Sequence, residues 1–108
     1  VAYDGQGNWA VVGHDGGVWT STDGENWTFV DTGIKGTWGY LTYGNGKFVA
    51  VGTGADGRGG VMYSTDAGAT WTKGSSGTDG HLLSVAYSPE LNVFVAVGKN
   101  GSIVSVEG

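Results

Sequence analysis

Hydrolytic chemistry in this chain would have to come from carboxylates, because its 108 residues hold ten Asp and Glu, two His, one Arg and no Cys. Glycoside hydrolysis needs two carboxyl groups about 5 to 10 Å apart across a cleft. Asp4, Asp15, Asp23, Asp31, Asp56, Asp66 and Asp79 each stand beside glycine or a small polar residue, where a carboxylate caps the N–H groups of a turn. Glu25, Glu90 and Glu107 show no partner in sequence. His14 and His81 are far apart, with no second His at metal-ligand spacing, so no metal is expected. Gly52-Thr53-Gly54-Ala55-Asp56-Gly57 satisfies G-x-G-x-x-G, but Val61-Met62-Tyr63 then begins a strand. A pyrophosphate site would need a helix N-terminus there, so no nucleotide or other cofactor is expected. Two of the carboxylates belong to a phrase that occurs twice: Ser21-Thr22-Asp23-Gly24-Glu25-Asn26-Trp27 and Ser64-Thr65-Asp66-Ala67-Gly68-Ala69-Thr70-Trp71.

The elements around these phrases repeat as well. Val1-Ala2-Tyr3, Leu41-Thr42-Tyr43 and Val85-Ala86-Tyr87 recur at intervals of about 40 to 44 residues, the period of a four-stranded propeller blade. The first unit, 1–40, has strand signals at Val1–Tyr3, Trp9–Val12, Val18–Ser21 and Trp27–Val30. The second, 41–84, has them at Leu41–Tyr43, Lys47–Val51, Val61–Ser64 and Trp71–Lys73. The third, 85–108, offers Val85–Tyr87, Val93–Val97 and Ile103–Val106. Each is short, β-branched or aromatic, and bounded by Gly, Asp or Asn. The second strands Trp9-Ala10-Val11-Val12, Phe48-Val49-Ala50-Val51 and Phe94-Val95-Ala96-Val97 carry no polar alternation. That pattern predicts core strands buried on both faces. Glycine interrupts every window of helical length, at a cost of about 1 kcal/mol each relative to alanine, so an all-β fold is expected.

Ser64-x-Asp66-x-Gly68-x-Thr70-Trp71 resembles the Asp-box, the bacterial neuraminidase repeat, at every motif position. Ser21 to Trp27 is similar but one residue shorter, with Gly24 directly after Asp23 and Asn26 where the Thr would stand. With the blade-length period, the resemblance covers essentially the whole chain. It implies a sialidase-like or sortilin-like propeller in which the boxes lie at the blade periphery, away from any active site. Ser21, Asp23, Gly24, Trp27, Ser64, Asp66, Gly68, Thr70 and Trp71 are therefore expected to be structural. The hydroxyl and carboxylate would cap the turn, the glycines would supply conformations that a Cβ opposes, and the tryptophans would fold over the hairpin.

Sialidases hold a substrate carboxylate with three arginines, and this chain has only Arg58. The resemblance thus implies a non-catalytic module. The alternative is a fragment of a sialidase-like glycoside hydrolase whose catalytic residues lie outside the chain.

Composition narrows the partners. A net charge of −5, with Lys35, Lys47, Arg58, Lys73 and Lys99 scattered singly, excludes the basic clusters that bind nucleic acid. No apolar run reaches the length of a membrane span, so membrane insertion is not expected. The 23 glycines lack a G-X-Y period and serve turns between short strands.

Two four-stranded units and three strands of another do not close a propeller, and bare blade faces would leave apolar patches in water. Either copies of the chain self-associate, closing a ring, or neighbouring blades of a longer chain cover the faces. The first residue, Val1, and an ending inside a third box favour an excerpt. The resemblance also implies a cell surface, secreted assembly or virion as location, with glycans or a surface or virion protein as partners. Trp19, Trp38 and Tyr40 are the expected glycan or partner contacts. Trp19 aligns with Met62 and Val104, and Trp38 lies in a variable connection.

Overall fold

The computed structural model describes residues 1–13, 17–34, 36–54, 59–74, 81–98 and 103–107. These form eleven strands in chain order: β1 (Ala2–Tyr3), β2 (Trp9–Val12), β3 (Gly17–Ser21), β4 (Thr28–Asp31), β5 (Gly36–Gly44), β6 (Lys47–Gly54), β7 (Gly59–Ser64), β8 (Thr72–Gly74), β9 (Leu82–Ser88), β10 (Val93–Gly98) and β11 (Ile103–Glu107). Within each sheet every strand pairs antiparallel with its neighbours in sequence. The result is sheet 1 (β1–β4), sheet 2 (β5–β8) and sheet 3 (β9–β11). The fold is all-β, and the described residues contain no helix.

The turns explain why the strands reverse where they do. Asn45 and Gly46 both have positive φ, 48° and 79°, between the paired residues Gly44 and Lys47. That is the geometry of a two-residue hairpin turn whose twist matches its strands. The corresponding turn in sheet 1 is longer, with Gly5 and Gly7 at positive φ. In sheet 3 the Tyr87 hydroxyl donates to Asn92 Oδ1 across the turn, at 2.7 Å. The Asn100-Gly101 turn lies outside the described residues.

Sheet 2 lies between the other two. On its sheet 1 side, Trp38, Phe48, Ala50, Met62 and Trp71 pack with Ala10 and Val18, flanked by Ala2, Val12, Val30, Leu41 and Tyr43. On the other side, Val49, Val51 and Val61 pack with Leu82, Phe94 and Ala96. The alternation along β6 is the strand's period of two, with one set of residues serving each interface.

Burial on both faces therefore holds for β6, where Phe48 through Gly52 are all buried. It does not hold for β2 and β10. Ala10 in β2 and Phe94 and Ala96 in β10 are buried on the faces toward sheet 2, whereas Val11 and Val95 are only half-buried. The three strands read alike in sequence. Their burial differs because only sheet 2 has a sheet on each side.

Sheet 2 begins earlier than residue 41, at Gly36, and sheet 3 begins earlier than 85, at Leu82. Register shifts lie between Trp38 and Tyr40 and between Val97 and Gly98. The strands meet very closely at these irregularities. An added Cβ on Gly52 would sit 2.1 Å from the Thr37 carbonyl oxygen, and one on Gly98 would sit 2.0 Å from that of His81. Only glycine lets the backbones approach this far. Beside the first, the Thr53 hydroxyl and His81 Nδ1 form a hydrogen bond that ties β6 to the residue before β9. Sheets 1 and 2 are tied in turn by the Trp38 backbone N–H, which donates to the Gly13 carbonyl at 3.1 Å.

Candidate functional site

The two Ser-x-Asp turns link the third strand of a sheet to the fourth, β3 to β4 and β7 to β8. In the second, Ser64 Oγ donates to Asp66 Oδ1 at 2.7 Å and accepts the Gly68 N–H at 2.9 Å. Asp66 Oδ1 also accepts the Thr70 N–H at 2.9 Å, while its Oδ2 accepts the Thr70 hydroxyl. The Trp71 indole N–H donates to the Gly68 carbonyl at 2.9 Å, folding the ring over the turn. Ala67 and Gly68 have positive φ, 65° and 91°.

The first turn reaches the same end with one residue fewer. Ser21 Oγ donates to Asp23 Oδ1 at 3.0 Å and accepts the Gly24 N–H at 2.8 Å. Asp23 Oδ1 accepts the N–H groups of Glu25 and Asn26, both at 2.8 Å. The Asn26 amide donates to Asp23 Oδ2 at 2.8 Å. Asn26 thus supplies the donor that Thr70 supplies in the longer copy.

These bonds fix the protonation of both acids. The Asn26 backbone and side-chain donors, with the Glu25 N–H and the Ser21 hydroxyl, hold Asp23 far below the usual carboxylate range. The Thr70 hydroxyl and N–H, with the Ser64 hydroxyl, lower Asp66 to about 2. A carboxylate so held carries no proton to donate near neutrality, and its lone pairs are already engaged.

A third turn, outside the repeated phrase, is capped in the same way by Asp4, one of the carboxylates that the sequence sets beside a glycine. Asp4 Oδ1 accepts the N–H groups of Gln6 and Asn8, at 2.7 and 3.0 Å, and its Oδ2 accepts the Asn8 amide at 2.7 Å. Burial opposes the ionised form of Asp4, but these donors outweigh it and lower the pKa. The Asp4-x-x-x-Asn8 spacing is the signal that reveals it.

The two Ser-x-Asp turns do not have equal surroundings. Trp71 is buried in the core shared with sheet 1, whereas Trp27 is exposed. An added Cβ on Gly68 would sit 2.8 Å from Thr20 Cγ2, so the second turn presses on β3 of sheet 1. Between the two turns lies a cleft of about 340 Å³, lined by Asn8, Thr20, Ser21, Asn26, Thr28 and Asp66 among others. Its walls offer hydroxyls and amides, the groups that bond polyhydroxylated molecules.

The expected contact residues separate. Trp38 is removed from that set, since it is fully buried among Ala10, Phe48 and Met62 with its indole N–H donating to the Ile34 carbonyl at 3.2 Å. Its place in a variable connection concealed that the connection is the start of β5. Trp19 and Tyr40 are both exposed, on β3 of sheet 1 and β5 of sheet 2. Trp19 stands edge-on to Phe29 at 5.1 Å between ring centroids, and Tyr3 lies 4.4 Å from Trp9. The pairing of Val11 with Trp19, Trp19 with Phe29 and Tyr3 with Trp9 sets these aromatics on one open face of sheet 1.

Arg58 and His14 lie outside the described residues. Among those described, no three His, Asp or Glu side chains gather as a metal site, and no helix is long and apolar enough to cross a membrane. Comparison with protein-family models, with curated proteins and with solved structures found no match to this chain.

Proposed function

We propose that this chain is a non-catalytic Asp-box β-propeller module, extracellular or virion-associated, that serves as an interaction or carbohydrate-binding scaffold. One contrast supports the reading. The box carboxylates spend their acceptor capacity inside their own turns, while Tyr3, Trp19 and Phe29 stand exposed on one sheet face. Chemistry is thus tied up in structure, and contact area is left free. Large, rigid aromatic rings supply contact at low entropic cost, and they stack on sugar C–H faces as readily as on another protein.

Tryptophan fluorescence against a glycan panel, run beside a fluorogenic sialoside and aryl-glycoside assay, tests the proposal. A saturable, sugar-dependent change without turnover is the expected result for a carbohydrate scaffold. No response to any glycan and no turnover assigns the module to protein contacts. Turnover that disappears in Asp23→Asn or Asp66→Asn would overturn the proposal.

A further inference from the structure

The three sheets carry equivalent residues in register. Tyr3 pairs with Trp9, Tyr43 with Phe48 and Tyr87 with Phe94, and the ring centroids lie 4.4, 5.0 and 4.7 Å apart. In sheets 2 and 3 the face bearing this pair is covered by the preceding sheet. Tyr43, Phe48, Ala50, Met62 and Trp71 pack on Ala10, Val12 and Val18 of sheet 1. Tyr87, Phe94 and Ala96 pack on Val49, Val51 and Val61 of sheet 2. One interface is thus built twice: a face with an aromatic pair is laid on a face of small and branched aliphatics.

Each half of that interface also occurs once without its counterpart. In sheet 1 the positions of Met62 and Trp71 are held by Trp19 and Trp27. They are 47 % and 38 % exposed, against 0 % and 8 % for their equivalents. In sheet 3 the positions of Val51 and Val61 are held by Val97 and Ile103, which pair across β10 and β11. Ile103 is 72 % exposed where Val61 is 2 %, and Val97 is exposed where Val51 is buried. The aromatic half lies at one end of the stack and the aliphatic half at the other.

Resting on the scaffold reading above, we propose that the partner of the aromatic face is a second copy of this chain, whose sheet 3 seats Val95, Val97 and Ile103 against Tyr3, Trp9, Trp19 and Trp27. The occupant follows from the chain itself, since the surface that covers this face twice internally is the surface the chain presents at its far end. The contact is head to tail. Unlike halves meet, as they do between sheets 1 and 2, and neither half meets itself.

Light scattering with near-UV circular dichroism tests the pairing. The wild-type chain is expected to have at least twice the monomer mass, rising with concentration to a defined species. Trp19→Asp and Val97→Asp alter exposed residues on opposite faces. Each alone is expected to fall to monomer mass with an ordered aromatic signal, and an equimolar mixture is expected to recover a dimer through the one intact pair of faces. Phe29→Asp and Ile103→Asp, on the same two faces, take over if either first variant loses its circular dichroism signal.

Three results would overturn the proposal: a wild-type chain that stays monomeric, a mixture that stays monomeric, or dissociation by only one of the two face variants, which would indicate a two-fold contact. The outcome is separable from that of the scaffold reading. A monomer that responds to glycans without turnover keeps the scaffold and rejects the pairing, whereas a complementing dimer that hydrolyses glycosides does the reverse.

Discussion

Ser64 is almost wholly buried, and its hydroxyl accepts the Gly68 N–H, so removing that oxygen leaves a donor without its partner under the turn. Ser64→Ala is expected to lower stability by about 1–3 kcal/mol, measured as a shift of the urea midpoint at unchanged slope. The carboxylates add a pH dependence of defined sign. Asp66 is lowered from 3.8 to about 2 in the folded chain. Its contribution is therefore complete above the unfolded value and is lost as pH falls from 3.8 toward about 2. Asp23 acts in the same direction. Acid titrations of stability should be flatter through this window for Asp66→Asn than for the wild type. The Ser-x-Asp spacing was legible in the sequence because each bond spans only two to four residues. The exchange of Asn26 for Thr70 was visible as an alignment, but its equivalence became clear only once both were found donating to Oδ2.

The strands themselves were legible for the same local reason. All eleven fall where short branched or aromatic runs stand between turn residues, because a hairpin meander needs no information from distant sequence. What escaped was decided between sheets. Trp38-Gly39-Tyr40 reads as a connection, yet it belongs to β5 through an irregular register that brings Thr37 onto Gly52. Gly52→Ala and Gly98→Ala should each cost about 1–3 kcal/mol by forcing backbone apart. Gly13 occupies the matching position in sheet 1, where an added Cβ meets nothing within 4 Å. Gly13→Ala should be neutral or slightly stabilising by comparison, through the unfolded chain's lost freedom. Thermal melts of the three variants side by side check the ranking. Burial of an aromatic was likewise invisible from its own neighbourhood, since Trp27 and Trp71 occupy matching positions in like motifs and differ only in what lies over them.

Across the whole molecule, stability should follow the number of faces covered. β6 is buried on both sides and hydrogen-bonded to β5 and β7, so its amides should exchange most slowly with solvent. Those of the edge strands β1, β4, β5, β8, β9 and β11 should exchange earlier; hydrogen-exchange mass spectrometry reads this directly. The meander has one more consequence. Each sheet is a single unbroken stretch of chain, so no strand waits for a distant partner and no closing loop need be longer than one sheet. Such a molecule is expected to fold by adding finished layers, because strand pairing within each layer is local in sequence. A layer copied or removed in the gene would leave every hairpin of the remaining layers threaded as before.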